Sequence, residues 1–326
     1  MRKNTWNRGR AHRIFAAGLG ALIAVTTLSC CGGQKDKSDV ATTSLQPDQQ
    51  TGGESTGEST GESTDSTGTA NTWTGSDEIP EGALTVVASP GVHEDILKMA
   101  QVILAEEGIE LYIDSDFDDY LIPNFFVDGG VYDCNYFQHE EYLNTFNQEQ
   151  GTDLVSVGKI HFEPLGIYPG KKKSLSALEE GDLITIPRDT ANQARAIKLL
   201  SDAGIVTIPE DKKNSSSVGD IIDNPHGIDI RLMDASQVPS AVASSAFVVM
   251  NGNYARQALY TVTSDALAYE NPDSSVAGRY ANIIAVNRGN ENDPRVQALV
   301  RVLQSQEIRD YIETRFAGAV VPYTGS

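Results

Sequence analysis

Residues 114–142, DSDFDDYLIPNFFVDGGVYDCNYFQHEEY, concentrate side chains suited to holding a small molecule. The first half carries Asp119-Tyr120-Leu121-Ile122-Pro123-Asn124. The second carries Asn135, then Phe137-Gln138-His139-Glu140-Glu141-Tyr142. The apolar pattern over residues 131–137 predicts a β-strand that runs into a helix opening near His139. Phe137, His139 and Tyr142 therefore stand at a strand-to-helix junction. In open α/β sheets, ligands occupy the crevice beyond the carboxyl ends of strands. Aromatic rings placed there wall pockets for apolar side chains. Rings at this spacing serve equally as core, so the surrounding elements have to decide.

Those elements begin with a short apolar run at residues 84–88 that ends in Ser89-Pro90-Gly91. Ile96, Met99, Ala100, Ile103 and Leu104 then fall on one helical face, and residues 109–113 form the next strand. This β-α-β unit implies a parallel sheet. Helices are expected near 122–126, 139–148, 175–180, 191–201, 218–222, 238–244 and 254–260. Strands are expected near 154–157, 163–168, 183–186, 228–233 and 247–250, with an apolar run at 282–286. A last helix runs from Pro294, the proline in its first turn, to about Phe316. Strands alternating with helices make the fold class α/β.

The 326-residue chain opens on Arg2, Lys3, Arg8, Arg10 and Arg13, followed by an apolar run over residues 14–28. This is the pattern of a secretory signal, with a core too short to span a bilayer comfortably. Leu28-Ser29-Cys30-Cys31-Gly32-Gly33 resembles a bacterial lipobox, whose cysteine is acylated and becomes the mature N-terminus. Cys31 suits that role, with Leu28 three residues upstream; Cys30 is the alternative. Residues 1–30 are thus read as a lipoprotein signal peptide. Residues 31–82 are read as the lipidated cysteine and a Gly/Ser/Thr/Glu tether, in which Gly-Glu-Ser-Thr occurs three times from Gly53. Such a segment has too little apolar surface to offset the entropy of ordering. The only other cysteine, Cys134, lies on an apolar strand and is read as a small buried hydrophobe. The net charge is −20 and falls to −25 once the five basic leader residues are removed. That balance argues against nucleic acid as a partner. Lys171-Lys172-Lys173 is read as a solvated turn.

Catalytic and metal motifs are not met. His139-Glu140-Glu141-Tyr142-Leu143 has Leu143 where a zinc-binding H-E-x-x-H needs its second histidine. The acidic run from Asp114 has Asp119 and Phe125 where a calcium loop needs Gly and Glu. There is no G-x-S-x-G, no phosphate-cradling glycine loop and no G-x-G-x-x-G. His12, His93, His139, His161 and His226 lie far apart without ligand spacing. No enzyme, cofactor or metal is expected.

From Leu84 onward the chain resembles the NlpA/MetQ-type family, the methionine-binding lipoproteins of bacterial ABC importers. The likeness rests on residues 119–124; on Asn135, Phe137-Gln138-His139 and Tyr142; on Ile186-Pro187 through Asn192-Gln193-Ala194-Arg195 to Leu199-Leu200; on Asn251 with Asn253-Tyr254-Ala255; and on Tyr280-Ala281-Asn282-Ile283-Ile284. The resemblance implies a two-lobed, periplasmic-binding-protein-like fold (type II) with ligand in the interlobe cleft. Lobe I would comprise residues 83–173 and 254–326, and lobe II residues 174–253. It implies that Tyr120, Phe137, His139 and Tyr142 wall the ligand side chain, and that Arg195, Asn251 and Asn282 hold its amino-acid head group. The implied ligand is methionine, with D-methionine, a methionine-containing dipeptide or another apolar amino acid as alternatives. The implied partners are an ABC permease with its ATPase subunit, and the extracytoplasmic membrane face through the lipid. A surface lipoprotein with a non-transport role is the alternative of another class. The sequence departs from the family pattern at Glu140-Glu141, Arg188-Asp189 and Gly278-Arg279, none of which is a matched ligand position.

Overall fold

The computed structural model describes residues 79–272 and 275–325. The signal peptide, Cys30, Cys31 and nearly all of the expected tether lie outside these residues. The chain starts with β1 (Leu84–Ala88), α1 (Val92–Glu106), β2 (Leu111–Asp114), α2 (Ile122–Asp128), β3 (Cys134–His139), α3 (Glu140–Gln150) and β4 (Leu154–Phe162). It continues through β5 (Gly166–Pro169), β6 (Leu183–Pro187), α4 (Thr190–Asp202), β7 (Asp229–Met233), β8 (Phe247–Met250), α5 (Gly252–Gln257), α6 (Val262–Asp265) and β9 (Ala268–Tyr269). It returns with α7 (Ser275–Tyr280), β10 (Ala281–Asn287), α8 (Pro294–Leu303), α9 (Gln306–Phe316) and β11 (Val321–Pro322).

The strands make two sheets, one in the order β11-β4-β10-β3-β1-β2 and the other β7-β6-β8-β5-β9. In the first, β1 pairs in parallel with β2 and β3, and β10 inserts antiparallel between β3 and β4. Side-chain alternation then supplies both faces. Ile284 and Val286 join Val86 and Ala88 under α1, α8 and α9, whereas Ile283 and Ala285 join Val87 and Leu143 on the opposite side. The second sheet repeats the device. Phe247 and Val249 pack with α4 on one face, and Val248 and Met250 pack with Ala255 and Val262 on the other. This is the α/β, two-lobed architecture that the alternating pattern and the resemblance implied. Among the described residues, no helix is long and apolar enough to cross a membrane.

Several expectations need correction. β5 pairs antiparallel with β8, and β9 pairs with β5, so both belong to the second sheet. The lobe boundaries therefore move from 173/174 and 253/254 to the two connecting segments, just after β4 and just after β9. Residues 131–133 lie outside β3, which instead extends to His139. The single helix expected over 294–316 is two helices, because Ser305 caps a new start by accepting from the Ile308 amide at 3.3 Å. Cys134 is fully buried, as expected, and burial raises its thiol pKa. In the triple lysine, Lys172 reaches Glu179 (2.8 Å) and Asp182 (2.7 Å).

Candidate functional site

Most of the expected site residues are delivered by the ends of elements. Phe137 and His139 close β3, and Tyr142 lies in the first turn of α3. Tyr120 comes from the loop before α2. Asn282 is the second residue of β10, in register with His139 on one side and His161 on the other. From the second lobe, Arg195 lies on α4 and Asn251 caps α5. All seven line one narrow cavity of about 20 Å³. Gln138, Glu163, Asn192, Gly252 and Asn253 complete its wall.

One end of the cavity is aromatic. The Tyr120 ring lies 5.7 Å from Phe137 and 5.6 Å from Tyr142, centroid to centroid. His139 meets Tyr142 edge-on at 6.5 Å and Tyr280 at 5.1 Å. The Tyr142 hydroxyl donates to the Tyr120 carbonyl at 3.0 Å, fixing both rings. Edge and tilted ring pairs at such spacings contribute about 0.5–1.5 kcal/mol each beyond area burial.

The other end is polar, and its hydrogen bonds determine which atoms remain for a ligand. His139 Nδ1 accepts from the Tyr142 amide at 3.1 Å, so the proton of the neutral ring is on Nε2. Burial first, then the charge of Arg195, lowers the His139 pKa to about 3, which keeps it neutral. Nε2 donates to Asn192 Oδ1 at 3.1 Å, and Asn192 Nδ2 donates to Asp189 Oδ1 at 3.0 Å. Asn251 Nδ2 donates to the same Asn192 oxygen at 2.9 Å, leaving Asn251 Oδ1 buried and unpartnered. Tyr120 donates to Asn253 Oδ1 at 2.7 Å, leaving Asn253 Nδ2 likewise unpartnered. His93 Nε2 engages Asn282 Oδ1 at 2.9 Å, so Asn282 faces the cavity with its NH2 group. Asp189, in one of the departures from the family pattern, thus supports the pocket through Asn192. His139–Asn192 and Tyr120–Asn253, together with Thr190–Glu149 at 2.8 Å, also tie the lobes across the cleft.

Arg195, which the resemblance implied would hold the ligand's head group, is largely engaged within the protein: Nε and Nη2 hold Glu270 at 2.7 and 2.5 Å, and Nη2 also donates to the Glu163 carbonyl at 2.8 Å. Its guanidinium lies 4.6 Å from the Tyr280 ring centroid. Among the described residues, none of these bonds uses Nη1, which is what Arg195 retains for a ligand on the cavity wall.

Sequence reasoning missed Glu163, which it placed at the head of an apolar strand. The residue follows β4 on the first connecting segment and is only 5% exposed. Burial would raise its pKa, but the bond from His161 and the nearby His93 and Arg195 hold it below the ordinary value. Oε1 accepts from His161 Nε2 at 2.9 Å, while Oε2 has no partner. Gly252 is required beside it: a Cβ there would sit 2.6 Å from Glu163 Oε2. Asn192 and Asn253 were also passed over, although both lie within the motifs that carried the resemblance.

The histidines that are distant in sequence do meet. His93, His161 and Glu163 bring ligand-type atoms within 4.8 Å of one another. The direct 2.9 Å bond between His161 and Glu163 uses two of those atoms on each other, which makes this a hydrogen-bonded cluster with no gap for an ion between them. A second cavity, of about 310 Å³, shares Tyr120 and Tyr142 with the first and is rimmed by Asp119, Glu149, Arg188, Asp189 and Asp234.

Comparison with known proteins places this geometry. Residues 84–324 match the family model described as NlpA lipoprotein. A lipoprotein of Ruminococcus gnavus, known as a crystal structure, is 49% identical with a TM-score of 0.73, over 74% of this chain and 99% of that one. The methionine-binding lipoprotein MetQ of Bacillus subtilis is 34% identical over 73% of this chain and 87% of its own. A nutrient-binding protein of Burkholderia cenocepacia, solved bound to methionine, is 33% identical with a TM-score of 0.70, over 74% and 99% of the two chains. The chain belongs to the NlpA lipoprotein family.

Proposed function

We propose that this protein is the substrate-binding lipoprotein of an ABC importer, that it takes methionine in its interlobe cleft, and that it hands the amino acid to a permease driven by a cytoplasmic ATPase. The observation that carries the reading is the matched polarity of one cavity. Glu163 Oε2 and Asn251 Oδ1 are unpartnered acceptors suited to an ammonium. Asn253 Nδ2, Asn282 Nδ2 and Arg195 Nη1 are donors suited to a carboxylate. The rings of Tyr120, Phe137, His139 and Tyr142 suit a thioether, which gains about 0.3–1.5 kcal/mol per S···aromatic contact. An unpartnered, buried carboxylate oxygen is costly unless a cation meets it, so Glu163 favours a ligand with a free amino group.

Titration calorimetry with L-methionine, D-methionine and methionine-containing dipeptides tests the reading. Binding by one of them should stabilise the fold by about 2.7 kcal/mol at a hundredfold excess over Kd, read as a higher melting temperature. Glu163→Gln should weaken that ligand about thirtyfold or more, by analogy with removing one partner of a buried charge pair, about 2–5 kcal/mol. An unchanged affinity in Glu163→Gln would remove the carboxylate from the ammonium site. No binding by any of these ligands would remove methionine as the substrate.

The anchor belongs to the same reading. Cys31 would carry the lipid that holds the protein at the extracytoplasmic membrane face, with Cys30 as the alternative, and residues 31–82 would give the domain its reach. Cys31→Ser should abolish labelling by a fatty-acid probe and release the protein from the membrane fraction. Label retained in that variant moves the site to Cys30.

A further inference from the structure

Behind the polar end of the cavity lies a buried layer that does not line it. His93 and His161 are 1% and 0% exposed, and their rings meet edge-on at 4.9 Å. His93 arrives from the first turn of α1, which the chain enters through Gly91 at φ 82°, a conformation that favours glycine. His161 comes from β4, one strand away from Tyr136 on β3.

The proton positions in this layer follow from its bonds. The Tyr136 hydroxyl contacts His161 Nδ1, and burial keeps that phenol protonated. The hydroxyl therefore donates, Nδ1 accepts, and the one proton of the neutral His161 ring lies on Nε2, aimed at Glu163 Oε1. His93 Nε2 stands 2.9 Å from Asn282 Oδ1 and 3.6 Å from Glu163 Oε1, two acceptors that select the Nε2–H form. His93 Nδ1 is left with no partner.

We propose that His93 and His161 are positioning residues: through their bonds to Asn282 and Glu163 they fix which end of each side chain faces the cleft, so that the site reads carboxylate and ammonium in one order. With its oxygen held by His93, Asn282 presents only donors, and with Oε1 held by His161, Glu163 presents one free carboxylate oxygen. Asn282 thereby rejects ligand donors. The site favours a carboxylate over a carboxamide, whose NH2 would face the NH2 of Asn282.

The inference rests on the amino-acid reading above, and its test separates the two. L-methionine and L-methioninamide share the ammonium and the thioether and differ only where Asn282 acts. In the native protein methionine should bind at least a hundredfold tighter than its amide. In His93→Leu the Asn282 amide is free to rotate. Methionine should then weaken about tenfold while methioninamide holds or improves, so that discrimination shrinks more than tenfold. His93→Gln, whose side-chain NH2 can donate along the same line, should restore most of the discrimination. Equal weakening of both ligands in His93→Leu would mean a merely structural role and would overturn the proposal. Nitrogen-15 NMR of histidine-labelled protein provides a readout that needs neither variant nor ligand. His93 and His161 should both carry the proton on Nε2 at neutral pH, and an Nδ1–H form of His93 would overturn the proposal even if the variants do not fold. Failure of the native protein to bind either ligand, with the Nε2–H forms present, would count against methionine and leave the fixed polarity of the cleft standing.

Discussion

Glu270→Ala should destabilise the folded protein by about 3–5 kcal/mol, the usual consequence of stranding one half of a buried ion pair. Glu270 holds Arg195 at 2.7 and 2.5 Å, and the pair is 8% and 3% exposed. Without the carboxylate, the guanidinium would remain between the Tyr280 and Phe162 rings, 4.6 and 5.6 Å away, with no carboxylate bonded to it. The effect should reach the cleft, because the pair stands where the chain crosses between lobes. Glu270 Oε2 accepts from the Leu165 amide at 2.8 Å, the Glu270 amide donates to the Leu165 carbonyl at 3.1 Å, and Arg195 holds the Glu163 carbonyl. One guanidinium therefore joins both connecting segments directly beneath Glu163. Arg195→Ala should destabilise to a similar degree and also lower ligand affinity. The double variant Arg195→Met/Glu270→Leu should be more stable than either single variant, since two apolar groups leave no unpaired charge. Urea denaturation measures all three. At about 2–4 °C per kcal/mol for a domain of this size, the single variants should melt roughly 10 °C lower. Single variants within 1 kcal/mol of the native protein would show that the pair contributes little beyond what water would supply.

How far the sequence carried the site is clearest from individual residues. The strand-to-helix step at His139 was legible because the apolar run carried by Val131, Tyr132, Cys134, Tyr136 and Phe137 stops just before it and the helix start uses a side-chain cap, both local signals. Tyr120, Phe137, His139, Tyr142, Arg195, Asn251 and Asn282 line one cavity because the matched motifs fall at strand and helix ends. Glu163 escaped because nothing local distinguishes it: a glutamate before Pro164 looks like an ordinary strand start. Its meaning comes from His161 two residues earlier and His93 far upstream, which only the sheet brings together. The same limit hid the partner of Arg195, since Glu270 is 75 residues away and joins it through a two-residue strand too short to show a pattern. β5 was assigned to the wrong lobe for a related reason. Alternation identifies a strand, but pairing with β8 rather than β4 is decided by tertiary packing.

Acidification from pH 7 to pH 4.5 should cost the protein on the order of 3 kcal/mol of stability. Burial, partly offset by the charge of Glu163, lowers the His93 pKa to about 4, and burial followed by Arg195 lowers that of His139 to about 3. Both start from 6.5 in the unfolded chain. Between about pH 4 and 6.5 the unfolded state therefore binds more protons than the folded one, and stability falls as pH falls. Glu163, held below its ordinary value, works in the same direction at the lower end. Asp189 opposes them: burial raises its pKa from 3.8 to about 6, so the folded state gains its proton first on acidification. Two buried imidazoles at about 1.4 kcal/mol per pH unit each outweigh one carboxyl. Urea midpoints at pH 7.0, 5.5 and 4.5 should therefore fall steadily. His93→Gln and His139→Gln should each flatten the profile, because glutamine keeps a donor at the same reach but cannot take up the proton. Asp189→Asn should steepen it. A midpoint that rises between pH 7.0 and 4.5 would mean that the two histidines are not held neutral in the fold, and with that the assigned proton on Nε2 of each ring would fail.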